Sequence, residues 1–183
     1  MTTHQHHISP AGLDLIKQYE ACKLTAYLCP ANIVTIGYGH VLLPKYDAVC
    51  FRGFSEGMLS RLIADCEKRR RITKEATQVL YITQVQADAL LNGDVRQTVN
   101  FLNSVTQVEL SQNQFDALCS LIFNVGQGNY AGSTLKKLLN TGDFNGAAAQ
   151  FERWVSATVS GKKQKLPGLI TRRAAERALF ETL

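Results

Sequence analysis

No apolar run in this 183-residue chain approaches the roughly 20 residues needed to span a bilayer. The longest, Phe115 to Phe123, is interrupted by Asp116 and Ser120. The opening MTTHQHHISP has neither the basic start nor the apolar stretch of a signal peptide. The expectation is a chain made soluble in a cytoplasm, which needs another exit route to reach any external target. Proline numbers 4 and glycine 13, so collagen-like and low-complexity readings fail. The five cysteines (Cys22, Cys29, Cys50, Cys66, Cys119) are odd in number and contain no CxxC, against a zinc ribbon or a thioredoxin-type motif. They read as reduced, packed thiols. His4, His6 and His7 read as a frayed tail rather than a metal site. No internal repeat and no long linker occur, so one domain over 1–183 is expected. Acid is in deficit: 15 Asp and Glu against 20 Lys and Arg give +5, a surface that favours anionic partners.

What is present is mostly helical punctuation. Ser9-Pro10 has the form of a helix start, and Leu13, Ile16 and Glu20 then share one face. Val34, Ile36 and Tyr38 alternate with Thr35, Gly37 and Gly39 as a strand, and Cys29-Pro30-Ala31-Asn32 has turn chemistry, so a small β-hairpin is predicted. Beyond Tyr38 the pattern is helical. Ser55 caps a helix with Leu59, Leu62, Ile63 and Cys66 on one side, ending in Lys68 to Arg71. Thr83 with Gln86 and Ser111 with Gln114 form capping boxes. Shorter helices follow around 133–139 and over 147–155, and Pro167-Gly168 precedes a final helix to Leu183. The fold class is α+β, mostly helical.

Three residues are candidates for chemistry. Glu20 is a carboxyl on an apolar helix face, where burial favours the protonated form that a general acid needs. Thr35 is expected on a strand face opened by Gly37 and Gly39, where a hydroxyl can orient water or sugar. Cys29 sits at the hairpin turn. Each also has a plain structural reading, as a solvated charge, a β-former and a turn residue.

Glu20 together with TAYLCPANIVTIGYGH resembles the phage-type lysozymes of glycoside hydrolase family 24, the muramidase endolysins. Glu20 and Thr35 match that family's helix-borne Glu and its Thr fifteen residues on, and Thr35 to His40 match its TIGYGH-like strand. Colinear matches continue through LSQNQFDALCSLIFNVGQG, GSTLKKLLN, AAAQFERW and LPGLITRRAAERALF. Cys29 departs from the pattern by standing where the family has Asp. A thiolate can replace that carboxylate, whereas a neutral thiol does so weakly.

The resemblance implies a lysozyme-like fold: an N-terminal lobe over 8–44, a helical insertion over 45–78, a helical lobe over 79–183, and a substrate cleft between lobes. It implies hydrolysis of the β-1,4 bond between N-acetylmuramic acid and N-acetylglucosamine for host cell lysis, with Glu20 as acid and Cys29 and Thr35 managing the water or the cationic intermediate. Matching substrate-contact positions are Val41, Phe123, Thr134 and Gln150. One of Arg172 and Arg173 is expected near Glu20. No cofactor or metal is required. The expected partners are bacterial peptidoglycan, a membrane-perforating holin-like protein for release and an anionic outer surface, with no nucleic acid and a monomeric state. The rivals are a lytic transglycosylase, a non-catalytic peptidoglycan binder and a membrane-disrupting basic helix over 169–183.

Overall fold

The computed structural model describes residues 5–159 and 161–182; His4 lies outside them. In chain order the elements are α1 (Pro10–Tyr19), β1 (Lys23–Leu28), β2 (Val34–Gly37), β3 (His40–Val41), α2 (Pro44–Asp47), α3 (Glu56–Arg69), α4 (Lys74–Val79), α5 (Gln84–Val105), α6 (Gln112–Val125), α7 (Gln127–Ala131), α8 (Thr134–Asn140), α9 (Phe144–Ala149), β4 (Ser156–Val159), β5 (Lys162–Lys165) and α10 (Pro167–Glu181). The architecture is α+β and mostly helical. The chain divides into two compact units, one of residues 20–94 and one that joins the chain before residue 20 to residues 95–183.

The 20–94 unit is built on an antiparallel sheet ordered β1-β2-β3. The predicted hairpin is β1 and β2, with Leu28 opposite Val34. The short β3 is an addition that the sequence did not signal, because two residues are too few to show alternation. The free edge of β1 is covered by residues 80–82, through Ala26 N–H to Leu80 O (2.9 Å) and Ile82 N–H to Leu24 O (2.9 Å). Every residue of β2 is buried. Its apolar side packs with Leu59, Ile63 and Cys66 of α3 and with Leu80 and Ala87 in one cluster. Ser55 caps α3 by accepting from Met58 N–H, and Arg70 ends it in the left-handed region at φ 52°. Segment 45–78 thus shares the sheet's core.

The helical unit is organised by α6, which opens with the Ser111–Gln114 capping box and buries Phe115, Leu118, Cys119 and Ile122. Helices α1 and α10 both pack on it. Asp116 accepts from Ser9 N–H and Gln112 Nε2, both at 2.9 Å, and from the Ser9 hydroxyl. Of the tail before α1, the described residues His6 and His7 are pinned rather than frayed. His6 exchanges hydrogen bonds with Asn103 and stacks on Phe115, and His7 O accepts from Gln112.

Three further expectations are corrected here. The 147–155 helix is broken, since α9 stops at Ala149 and a 3-10 turn over Phe151–Arg153 follows. A second hairpin, β4 with β5, stands where the polar run KKQK gave no apolar alternation. The basic face expected on α10 is largely consumed: Arg172 and Arg173 are buried against Glu176, and Arg177 pairs with Glu152 and Glu181.

Candidate active site

Residues 29–32 form a tight turn, with Asn32 N–H donating to Cys29 O (2.8 Å) and Cys29 N–H donating to Ile33 O (3.0 Å). Asn32 takes the left-handed conformation, φ 62°, that Asn tolerates better than most side chains. The turn leaves Cys29 half-exposed at the tip of the hairpin. The backbone N–H of Ile33 favours the anion and holds the thiol below its ordinary pKa. Partial burial opposes this, and the Ala31 N–H reinforces it. Thr35 Oγ1 donates to Ile33 O at 3.0 Å. Ile33 is therefore the hub that ties the Cys29 and Thr35 side chains to one stretch of backbone.

Thr35 pairs with Tyr27 on one side and Val41 on the other, so this row lies across one face of the sheet. Thr35 is buried, not part of an open shelf, and Gly37 faces Ala87 and Ile82. Gly37 is nevertheless needed, because its φ of +64° strains any L side chain. Val41 is 40% exposed and available to a ligand rather than packed in the core. Glu20 is half-buried and lies in the bend just after α1, not within the helix as the periodicity predicted.

Tyr27 connects these groups electrostatically. Desolvation pushes its phenol pKa up, and the negative charges of Cys29 and Glu20 push it further, so all three residues share one neighbourhood. Lys23 lies 4.2 Å from the Tyr27 ring centre and places a cation beside it. Tyr27 and Lys23 escaped the sequence reading, where they appear only as strand residues.

His40 anchors the end of the same sheet. Its Nδ1 meets Asp94 at 2.9 Å and its Nε2 meets Asp47 at 3.0 Å; Asp47 also accepts from Leu43 N–H at 2.6 Å. Burial opposes the charged imidazole, but the bonds and charges of Asp47 and Asp94 outweigh it and raise the pKa to about 9. The motif ending in His40 was the available signal; Asp47 lies seven residues on and Asp94 far along the chain, and neither gave one. Glu67 of α3 reaches the hairpin as well. Its backbone O accepts from Asn32 Nδ2 at 2.8 Å and its Oε1 accepts from Val34 N–H at 3.2 Å.

The other candidates belong to the helical unit. Phe123 is half-buried on α6. Thr134 is exposed at the start of α8 and is not its cap, since Ser133 accepts from Lys136 N–H instead. Gln150 follows α9 and turns a buried Oε1 inward without a hydrogen-bond partner among the described residues. Both expected arginines bond Glu176: Arg172 Nε and Arg173 Nη2 lie 3.0 and 2.9 Å from its Oε1. Arg172 also lies over the Tyr19 ring at 5.8 Å, next in sequence to Glu20. Among the described residues no group of His, Cys, Asp and Glu is arranged to hold a metal.

A family model described as phage lysozyme matches residues 17–176. An endolysin of Acyrthosiphon pisum secondary endosymbiont phage 1 is 43% identical over 176 residues, covering 96% of this chain and 99% of that protein. An endolysin of Salmonella phage P22 is 35% identical, with 94% and 97% covered. Among solved structures, the muramidase domain of SpmX from Asticaccaulis excentricus is similar at TM-score 0.74 and 32% identity, with 97% of this chain and 99% of that one covered.

Proposed function

From the premise that the chain belongs to the phage lysozyme family, and is an endolysin that hydrolyses the β-1,4 bond between N-acetylmuramic acid and N-acetylglucosamine in bacterial peptidoglycan, we propose that Glu20, Cys29 and Thr35 perform the chemistry. The observation that carries this assignment is the hairpin turn that sets Cys29 beside Thr35, where Ile33 O accepts from both the Cys29 N–H and the Thr35 hydroxyl. A thiol replaces a carboxylate best when its anion is favoured, and the backbone N–H groups of Ile33 and Ala31 favour it. Glu20 delivers a proton to the departing glycosidic oxygen. The Cys29 thiolate supplies the negative charge opposite the developing oxocarbenium ion, and Thr35 orients the water that completes hydrolysis.

Val41 contacts the sugar from the same sheet row as Thr35. Phe123, Thr134 and the half-buried Gln150 are further substrate contacts. Access to the wall requires a membrane-perforating, holin-like partner: the enzyme waits in the host cytoplasm as a monomer, then acts on the wall. The anionic surface contact falls to Lys162, Lys163 and Lys165 of β5, a strand whose four residues are all exposed.

Glu20→Gln is expected to abolish clearing of purified peptidoglycan while the protein stays folded and wall-bound; clearing at the wild-type rate overturns its role. Cys29→Asp should retain or raise activity, and Cys29→Ala and Cys29→Ser should lose most of it. Full activity in the Ala variant removes Cys29 from the mechanism. Mass spectrometry of the products should show hydrated reducing muramic ends. A product set of 1,6-anhydro ends contradicts hydrolysis.

A further inference from the structure

The segment between the hairpin and α5 is not only a packing element. We propose that Glu67, on the last turn of α3, is a positioning residue for Cys29, acting by holding the residues on both sides of Ile33, Asn32 by its side-chain amide and Val34 by its backbone N–H. This inference rests on the reading of Cys29 as a working group.

Ile33 accepts through its C=O from both the Cys29 N–H and the Thr35 hydroxyl, each at 3.0 Å, and its N–H favours the Cys29 thiolate. It belongs to no strand, so its orientation depends on its neighbours. Asn32, before it, is held by the Glu67 carbonyl at 2.8 Å, and Val34 N–H, after it, is held by the Glu67 carboxylate at 3.2 Å. Val34 is fully buried, and a backbone N–H left without its acceptor there is costly. The carboxylate therefore stands in for a missing ladder partner at the point where β2 begins. Glu67 is itself fixed in place, because the Cys66 side chain beside it is buried in the sheet's core cluster and its own carbonyl also closes the helix through Arg70 N–H. A residue more than thirty positions from Cys29 thus holds the turn in which Cys29 sits.

Positioning and charge predict opposite results, which makes the idea testable. The carboxylate of Glu67 is negative, so acting through charge alone it would disfavour a thiolate, and its removal would make Cys29 more reactive. If it acts by position, its removal makes Cys29 less reactive, and Glu67→Gln, which keeps an acceptor for Val34 N–H, preserves the behaviour. The experiment alkylates the full-length protein with iodoacetamide across pH 5 to 10 and follows the Cys29 peptide by mass spectrometry. The half-point in Glu67→Ala should move up by about one pH unit, a tenfold loss of thiolate below it, while Glu67→Gln stays near wild type. Peptidoglycan clearing should fall in the same order.

Asn32→Gly, which keeps the left-handed backbone and deletes the amide, should give a smaller shift in the same direction, and carries the test if Glu67→Ala fails to fold. An unmoved alkylation profile in Glu67→Ala overturns the proposal, as does a Gln variant as impaired as Ala. The alkylation readout does not depend on catalysis. If Cys29 proves a spectator, the half-point still shifts while clearing does not follow, so failure of the catalytic reading stays distinct from failure of the clamp.

Discussion

The 20–94 unit and the helical unit each bury charge, and they neutralise it by different means. In the first, a histidine lies between two carboxylates, Asp47 and Asp94. In the second, two arginines converge on one carboxylate, Glu176, which also accepts from Ser120 Oγ at 2.7 Å. A guanidinium keeps its proton at any pH a protein survives, whereas an imidazole held at about pKa 9 does not. The unit that carries the hairpin thus has a charge centre that titrates, and the unit that supports α1 has one with fixed cations. Polar groups placed at the centre of a small unit specify which elements meet; the chemistry of the cation then decides under what conditions the specification holds.

The largest expected break lies in the fixed centre. Glu176→Ala leaves two buried guanidiniums without their shared carboxylate and should cost about 3–5 kcal/mol in urea unfolding. Next is Gly12→Ala, where a Cβ would fall 2.6 Å from Asp116 Cγ. Although Ala favours a helix, the overlap should cost about 2 kcal/mol. An unchanged unfolding midpoint would show that α1 can shift on α6. His40→Gln should be comparable at pH 6, about 2 kcal/mol, and is the change that sharpens the contrast. The imidazole's folded pKa is raised from 6.5 to about 9, so its contribution is fully present below about pH 6.5 and is lost as pH rises through about 9. Unfolding curves for wild type and variant should therefore converge by pH 10, while the loss from Arg172→Leu should persist there. The smallest effect is Ser9→Ala, about 1 kcal/mol for the lost cap and its bond to Asp116.

The same contrast explains what could be read from the sequence. Local signals were legible: the Ser9-Pro10 start, the hairpin around Cys29 to Asn32, the Ser55 cap and the Ser111–Gln114 box all use residues within a few positions of one another. The spacing of Glu20, Cys29 and Thr35 was legible for the same reason, since the three lie along one short path of chain. What escaped is non-local. Asp94 gives no sign that it faces His40, and Glu67 gives none that it reaches Val34. Arg172 and Arg173 gave no sign that both would converge on Glu176, four and three residues on, because the resemblance that singled them out pointed toward Glu20. The second hairpin escaped because its exposed lysine strand has no buried face to impose alternation.

The discontinuity of the helical unit has a consequence for how the molecule is made. Helix α1 is synthesised early, yet its partners α6 and α10 follow the whole of residues 20–94. Its Ser9–Asp116 and Tyr19–Arg172 contacts close long loops, and such contacts form late because their entropy cost comes before their reward. The intervening unit has a hydrophobic core made of its own residues. In a nascent chain the hairpin's own contacts therefore become available before those that seat α1, and the last contacts to become available are the ones that join the two ends of the helical unit.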